Sequence, residues 1–125
     1  MKLPPGKYYV GDPCYCFDKN WSRVLEETDF FELDTKFDGG HLAAVCTAHG
    51  DGEYNGSDGN SYPVDAGLLG AVSTDLYERS SEPFGLQLIE FEEEFEVTYD
   101  GGLVQIGHIK IETDPYIMGY RIHQD

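Results

Sequence analysis

The 125-residue sequence predicts a mainly β fold at the margin of the α+β class: an antiparallel β-sandwich or a partly open barrel with one short helix. Short runs rich in β-branched and aromatic residues recur along the chain, and clusters of Gly, Pro, Asp and Asn separate them. Only one segment spaces its apolar residues as a helix does. We expect about eight strands. Because no linker or shift in composition interrupts the chain, we expect one acidic domain over residues 1–125.

The first elements are two short apolar runs followed by the helix. Residues 6–10 are prone to form a strand, which stops at Gly11-Asp12-Pro13 because the residue before proline is pushed toward extended geometry. Residues 14–17 follow as a second apolar piece. Asp18 then caps the predicted helix, which ends near Thr28.

The middle of the chain alternates strands with tight turns. Residues 30–37 alternate imperfectly between apolar and polar side chains, which favours a strand, and Asp38-Gly39-Gly40 is a turn signal. Residues 41–48 are apolar and small, as in a buried strand with another layer packed close against it. Residues 61–64 and 68–72 predict short strands around the Asp65-Ala66-Gly67 bend.

The second half carries the strongest hairpin signal. Residues 86–91 and 95–99 alternate apolar with polar side chains, and a solvated charge run, Glu92-Glu93-Glu94, lies between them. Asp100-Gly101-Gly102 turns the chain into a predicted arm over residues 103–111. Residues 116–122 predict a last strand.

The charge balance excludes some partners. The chain has 24 acidic and 8 basic residues and a net charge of −16. Such a charge repels nucleic acid and anionic membranes and favours a protein partner with a basic surface. No apolar run approaches the ~20 residues of a membrane span, and the first residues lack the apolar core of a signal peptide. We therefore expect a cytoplasmic monomer or small homo-oligomer.

Three cysteines, an odd number, argue against a disulfide framework. On a strand Cys14 and Cys16 would share a face, and buried thiols commonly pack as small apolar side chains. A zinc site that recruits His41 or His49 fails on spacing, because Cys-x-Cys with the distant Cys46 matches none of the usual ligand pairs.

The segment from His49 to Gly67 holds five glycines and four carboxylates and predicts a shaped loop. Its Asp-x-Glu-x-Asn-Gly start at Asp51 matches the first half of a calcium loop, but the twelfth position is Tyr62 instead of a bidentate Glu. A turn-rich hairpin loop without a cofactor is the favoured interpretation. Calcium or another divalent metal is the alternative.

Candidate binding residues cluster around this loop. Asp12, Asp51 and Asp65 each end an apolar run beside glycine or proline, and a hairpin path would return Asp65 toward Asp51. With His49 they could hold a metal or share acid–base work, because neighbouring carboxylates shift each other's pKa. Alternatively each aspartate caps its own turn. Two tyrosines of the same loop have rings suited to an interface or to stacking on a flat ligand: Tyr54 and Tyr62.

Three motifs carry a resemblance. They are Tyr-Tyr-Val-Gly-Asp-Pro-Cys-Tyr at Tyr8 to Tyr15, Gly-Asp-Gly-Glu-Tyr at Gly50 to Tyr54 and Tyr-Pro-Val-Asp-Ala-Gly-Leu-Leu-Gly at Tyr62 to Gly70. As a set they resemble a family of small uncharacterised proteins met in phages, prophages and bacterial genomes. The resemblance covers the chain up to Gly70 and implies a bacterial or phage setting without an activity.

Three functions remain open. The favoured one is a non-enzymatic acidic binding protein that engages a basic host protein surface and so inhibits a defence or nucleic-acid-binding protein. The second is a small-ligand or metal-dependent site on Asp12, Asp51 and Asp65. The third is a pocket that sequesters a nucleotide-like ligand, which needs a local cation to offset the acidity. An enzyme is the less favoured class, because no nucleophile elbow or phosphate-binding glycine loop is present.

Overall fold

A computed structural model describes residues 1–32 and 35–114. These residues form eleven strands, one α-helix and two 3₁₀ turns, the latter at Pro13–Cys16 and Thr74–Leu76. The strands and the helix are β1 (Lys2–Leu3), β2 (Gly6–Gly11), α1 (Trp21–Glu27), β3 (Lys36–Phe37), β4 (Gly40–Cys46), β5 (Gly52–Asn55), β6 (Ser61–Val64), β7 (Leu68–Ser73), β8 (Gln87–Phe91), β9 (Phe95–Asp100), β10 (Leu103–Ile106) and β11 (Ile109–Glu112).

The strands form three antiparallel sheets. The largest has the order β3-β4-β7-β2-β8, the second β1-β9-β10-β11, and β5 pairs with β6 alone. None of the three closes into a barrel in the described part of the chain. The predicted β-sandwich with one short helix is therefore confirmed, and the barrel alternative is not.

The centre of the five-stranded sheet is buried on both faces. Along β7 the side chains of Leu69 and Ala71 enter the core shared with the four-stranded sheet, whereas Leu68 and Val72 join a second core on the side of α1. All six residues of β7 are buried. This double burial explains the continuous apolar runs in β4 and β7, which the sequence predicts as buried strands.

A glycine lets the two central strands approach closely. Gly70 on β7 lies opposite Ala44 on β4. A Cβ atom at position 70 would lie only 2.0 Å from the carbonyl oxygen of Ala43, so only glycine fits there. The small side chains of β4 also face other layers, as predicted: Ala43 lies in the core shared with the four-stranded sheet, and Ala44 lies in the core beside α1.

The start of the chain departs from prediction at two points. The apolar piece at residues 14–17 lies largely in a 3₁₀ turn, Pro13–Cys16, so Cys14 and Cys16 do not share the face of a strand: Cys16 is buried and Cys14 is half-buried. Proline at the first position and the Asp12 side chain as its N-cap favour a helical turn over a strand there. The helix α1 is present, but its N-cap is Asn20 and not Asp18. The carboxylate of Glu78, distant in sequence, accepts hydrogen bonds from the Asp18 and Asn20 amides instead.

A left-handed turn stands at the start of the strand expected over residues 30–37. After α1 the backbone φ angles of Asp29, Phe30 and Phe31 are 49°, 55° and 69°. The Thr28 hydroxyl donates to the Val24 carbonyl at 2.6 Å and accepts from the Phe31 amide at 3.0 Å. Only β3 is extended within the described part of residues 30–37, and it forms a hairpin with β4 at the predicted Asp38 turn.

The closing hairpins follow the prediction with one addition. β9 and β10 are joined at the predicted turn through Gly101 and Gly102, which have φ angles of 57° and 95°. The expected long arm over residues 103–111 turns back at Gly107-His108, so that β10 pairs with β11. Gly107 has a φ of 59°, which suits glycine in a two-residue turn. The predicted strand over residues 116–122 lies outside the described residues.

Candidate functional site

Asp12 holds two distant turns together from inside the protein. Its side chain is fully buried. One carboxylate oxygen accepts from the Cys14 amide at 3.0 Å, and the other accepts from the amides of Asp65 and Ala66 at 2.8 and 2.7 Å. The carboxylate thus joins the turn after β2 to the bend between β6 and β7, and in this arrangement it does not face solvent.

Asp51 and Asp65 lie at the open end of the β5–β6 hairpin. Its register pairs Gly52 with Val64, so the two aspartates flank the last pair and the expected hairpin path is present. The Thr47 amide donates to the Gly67 carbonyl at 2.9 Å and its hydroxyl to the Gly50 carbonyl at 2.6 Å, which braces the two turns. Both aspartates are exposed, whereas Asp12 is buried, and Asp65 meets Asp12 through its backbone amide.

The metal interpretation gains no support from this geometry. Within residues 1–32 and 35–114, no group of three or more His, Cys, Asp or Glu side chains is placed to hold a metal ion. Glu53 and Asn55 of the calcium-like pattern lie on strand β5 instead of in a loop that wraps a cation. His49 is exposed, and its Nε2 atom lies 3.4 Å from a carboxylate oxygen of Asp114.

The two nominated tyrosines have structural contacts. Tyr62 is fully buried, and its hydroxyl donates to the Asp58 carboxylate at 2.5 Å. Burial and this hydrogen bond raise the pKa of Tyr62 well above its usual value, so the phenol stays a hydrogen-bond donor. Tyr54 is half-buried and donates to the Gly50 carbonyl at 3.1 Å. These rings fill the core and brace the shaped loop.

An open cleft of about 640 Å³ lies beside the Asp65 bend. The 3₁₀ turn Pro13–Cys16, the start of α1, the bend itself and residues 77–84 line it. We call it the aromatic cleft, after the five rings in its lining: Tyr15, Phe17, Trp21, Tyr77 and Phe84. Of the nominated residues, Asp65 is the one that lines it.

The cleft has more negative than positive groups. Its lining includes the exposed residues Asp18, Asp65 and Glu82 and one cation, Arg79. The Arg79 guanidinium donates to the Cys14 carbonyl at 3.1 Å. Burial, followed by the neighbouring Asp12, raises the pKa of the Cys14 thiol to about 12. The thiol therefore stays neutral near pH 7 and is a poor nucleophile.

A second depression, of about 710 Å³, follows the charge run between β8 and β9. We call it the acidic groove. Five of the seven residues 90–96 are glutamates, and all five are exposed and line it. The other two, Phe91 and Phe95, are buried and stack with ring centroids 3.7 Å apart. Lys2 lies beside them, with its ammonium 3.9 Å from Glu94, a solvent-exposed pair of little energetic weight.

The sequence analysis predicts neither the aromatic cleft nor the acidic groove. The rings of the aromatic cleft come from two segments that are far apart in the chain, residues 15–21 and 77–84. Their sequence signal is the apolar Phe84, which directly follows the polar run Ser80-Ser81-Glu82-Pro83. For the groove the signal is the Phe-x-x-x-Phe spacing inside the glutamate run. Glu92-Glu93-Glu94 is solvent-exposed, as predicted.

No protein-family model, curated protein or solved structure matches this chain. No helix in the described ranges is long and apolar enough to cross a membrane. The two depressions and their charges are therefore the features of the molecule that bear on its function.

Proposed function

We propose that this protein is a non-enzymatic binding domain whose acidic groove occupies a basic surface of another protein. The observation that carries the proposal is the set of five exposed glutamates in residues 90–96, lining one groove. Exposed carboxylates at a turn and at strand ends suit electrostatic docking. Acid–base catalysis relies instead on desolvated groups.

The groove can bind basic side chains by charge and by apolar contact. The net charge of −16 draws a basic partner toward the domain before contact and speeds association. The stacked rings of Phe91 and Phe95, each 7% exposed, offer a small apolar floor. Lysine and arginine can lay their aliphatic stems on such a floor while their charged ends reach the glutamates.

The resemblance to phage and prophage proteins favours a host protein as the partner. A basic surface that normally holds nucleic acid presents cations spaced for phosphates, and a domain rich in exposed carboxylates can compete for them. Nucleic acid itself is repelled by the same charge. Inhibition of a host defence or nucleic-acid-binding protein is therefore the function we favour.

A pair of charge-matched variants tests where recognition occurs. The groove variant carries Glu92→Gln, Glu93→Gln and Glu94→Gln, and the control carries three changes near α1: Glu26→Gln, Asp29→Asn and Glu32→Gln. All six residues are exposed, and both variants lose the same amount of negative charge. Capture from nuclease-treated bacterial lysate, quantified for each protein by mass spectrometry, compares them with the wild type.

We expect the groove variant to lose at least about tenfold in affinity for the basic protein that the wild type captures, because three close charges act together. The control variant should retain most of that affinity. Equal losses in the two variants would show that only net charge matters, and an unaffected groove variant would contradict the proposal.

A further inference from the structure

We infer that the aromatic cleft is a second recognition site, which takes one cationic side chain, an arginine, from a protein or peptide. The inference goes beyond the proposed function, because the cleft and the acidic groove share no lining residue. It follows from the rings of the cleft, from its charges and from its size.

Four of the five aromatic residues that line the cleft leave part of their surface exposed, and the fifth, Phe17, is buried. Tyr15 and Phe84 meet edge to face with centroids 5.3 Å apart, and Phe17 stacks near Trp21 at 6.1 Å. Phe84 leaves 67% of its surface exposed, so its ring is accessible to a ligand in the cleft. The negative faces of such rings attract cations, and a planar guanidinium stacks on them.

The charges of the cleft select against an anion. Three carboxylates line it against one guanidinium, and that guanidinium is hydrogen-bonded to a backbone carbonyl. A nucleotide-like ligand would bring further negative charge to a site where Arg79 is the one cation in the described lining. An incoming arginine can instead pair with Asp65 or Glu82 while its plane lies on a ring.

The size of the cleft fits a side chain with part of its backbone. Its volume of about 640 Å³ lies within the usual range for ligand sites, roughly 300–1,000 Å³. Residues 79–84 are all exposed and four of them line the cleft, so a side chain can enter beside them from an extended segment of a partner. The occupant that matches the rings, the charges and the access is an arginine on a basic protein surface.

Trp21 makes the test direct, because it is the only tryptophan of the chain and lines the cleft. A short, end-blocked peptide with one central arginine is titrated into the protein, and Trp21 fluorescence is recorded. The same peptide with citrulline in place of arginine is the neutral control. We expect a saturable change with the arginine peptide and binding at least about tenfold weaker with the citrulline peptide.

Four variants test whether the arginine peptide binds in the aromatic cleft. Phe84→Ala and Glu82→Gln should each weaken arginine-peptide binding severalfold, and Arg79→Gln should leave it equal or tighter. Leu88→Ala, an exposed apolar side chain outside the cleft with 60% of its surface accessible, should change nothing. Since these residues are exposed, thermal melting should show that all four variants are folded.

Three results would overturn the inference: no saturable response to the arginine peptide, equal affinity for its citrulline twin, or loss of binding in Arg79→Gln together with tighter binding of a nucleoside monophosphate. The triple groove variant should respond to the arginine peptide as the wild type does. Failure of the cleft test therefore leaves the proposed function standing, and failure of the groove test leaves the cleft standing.

Discussion

Asp12 shows how one buried carboxylate can organise the loops around a site. Its two oxygens accept three backbone N–H groups, two of them from a bend more than fifty positions away in the chain. Hydrogen bonds to a charged acceptor are among the stronger ones in proteins. The Asp65 bend, which lines the aromatic cleft, therefore depends on a residue that never touches the cleft.

The variant Asp12→Asn should lower the free energy of unfolding by about 2–4 kcal/mol, because an amide nitrogen replaces one acceptor and leaves buried N–H groups unpaired. Asp51→Asn removes the same charge from an exposed side chain and should change stability by no more than about 0.5 kcal/mol. Urea denaturation of both proteins measures the difference. Similar losses in the two variants would show that Asp12 does not hold the turns as described.

The sequence identifies Asp12 and Asp65 as candidate binding residues, since each ends an apolar run beside glycine or proline. It does not reveal which carboxylate turns inward. By sequence each aspartate is a candidate cap of its own turn, yet no hydrogen bond to the Asp65 side chain is found in the described residues, and its amide is a donor to Asp12 instead. The direction of a side chain depends on which backbone amides converge on it, and these come from distant segments.

Among the elements, the hairpins follow local rules and the helix ends do not. Glycine at positive φ in the β9–β10 turn is a local requirement, so the Asp-Gly signal predicts it. At the start of α1, the N-cap residue Asn20 donates its backbone amide and its side-chain amide to the carboxylate of Glu78, which follows the 3₁₀ turn Thr74–Leu76. Burial raises the pKa of Glu78, but hydrogen bonds from Asp18 and Asn20 lower it overall. Sequence spacing cannot predict a cap of this kind.

The left-handed turn after α1 stores backbone strain that a substitution should release. Phe30 has a φ of 55° and leaves 62% of its surface exposed. Since a Cβ atom in this conformation costs about 1–2 kcal/mol, Phe30→Gly should be more stable than Phe30→Ala by about 1 kcal/mol. The two variants remove the same ring, so their difference in thermal melting isolates the strain. A more stable alanine variant would refute the left-handed turn.

At the scale of the whole molecule, the sequence predicts the packed layers of the fold but not the aromatic cleft or the acidic groove. The alternation in β8 and β9 and the continuous apolar runs in β4 and β7 follow from one-sided and two-sided burial. The aromatic cleft joins four separate segments, so it exists only after folding. The acidic groove is a local run of sequence, but its stacked aromatic floor requires the β8–β9 connection to fold back.

The salt dependence of partner binding tests the central claim, that the acidic groove recognises a basic protein surface. Between about 50 and 500 mM salt the Debye length falls from roughly 14 Å to roughly 4 Å, which screens exposed charges. Affinity for the purified captured partner should then fall at least about tenfold for the wild type, and the triple groove variant should show a clearly weaker dependence. Binding that is insensitive to salt, or capture of nucleic acid itself, would contradict the claim.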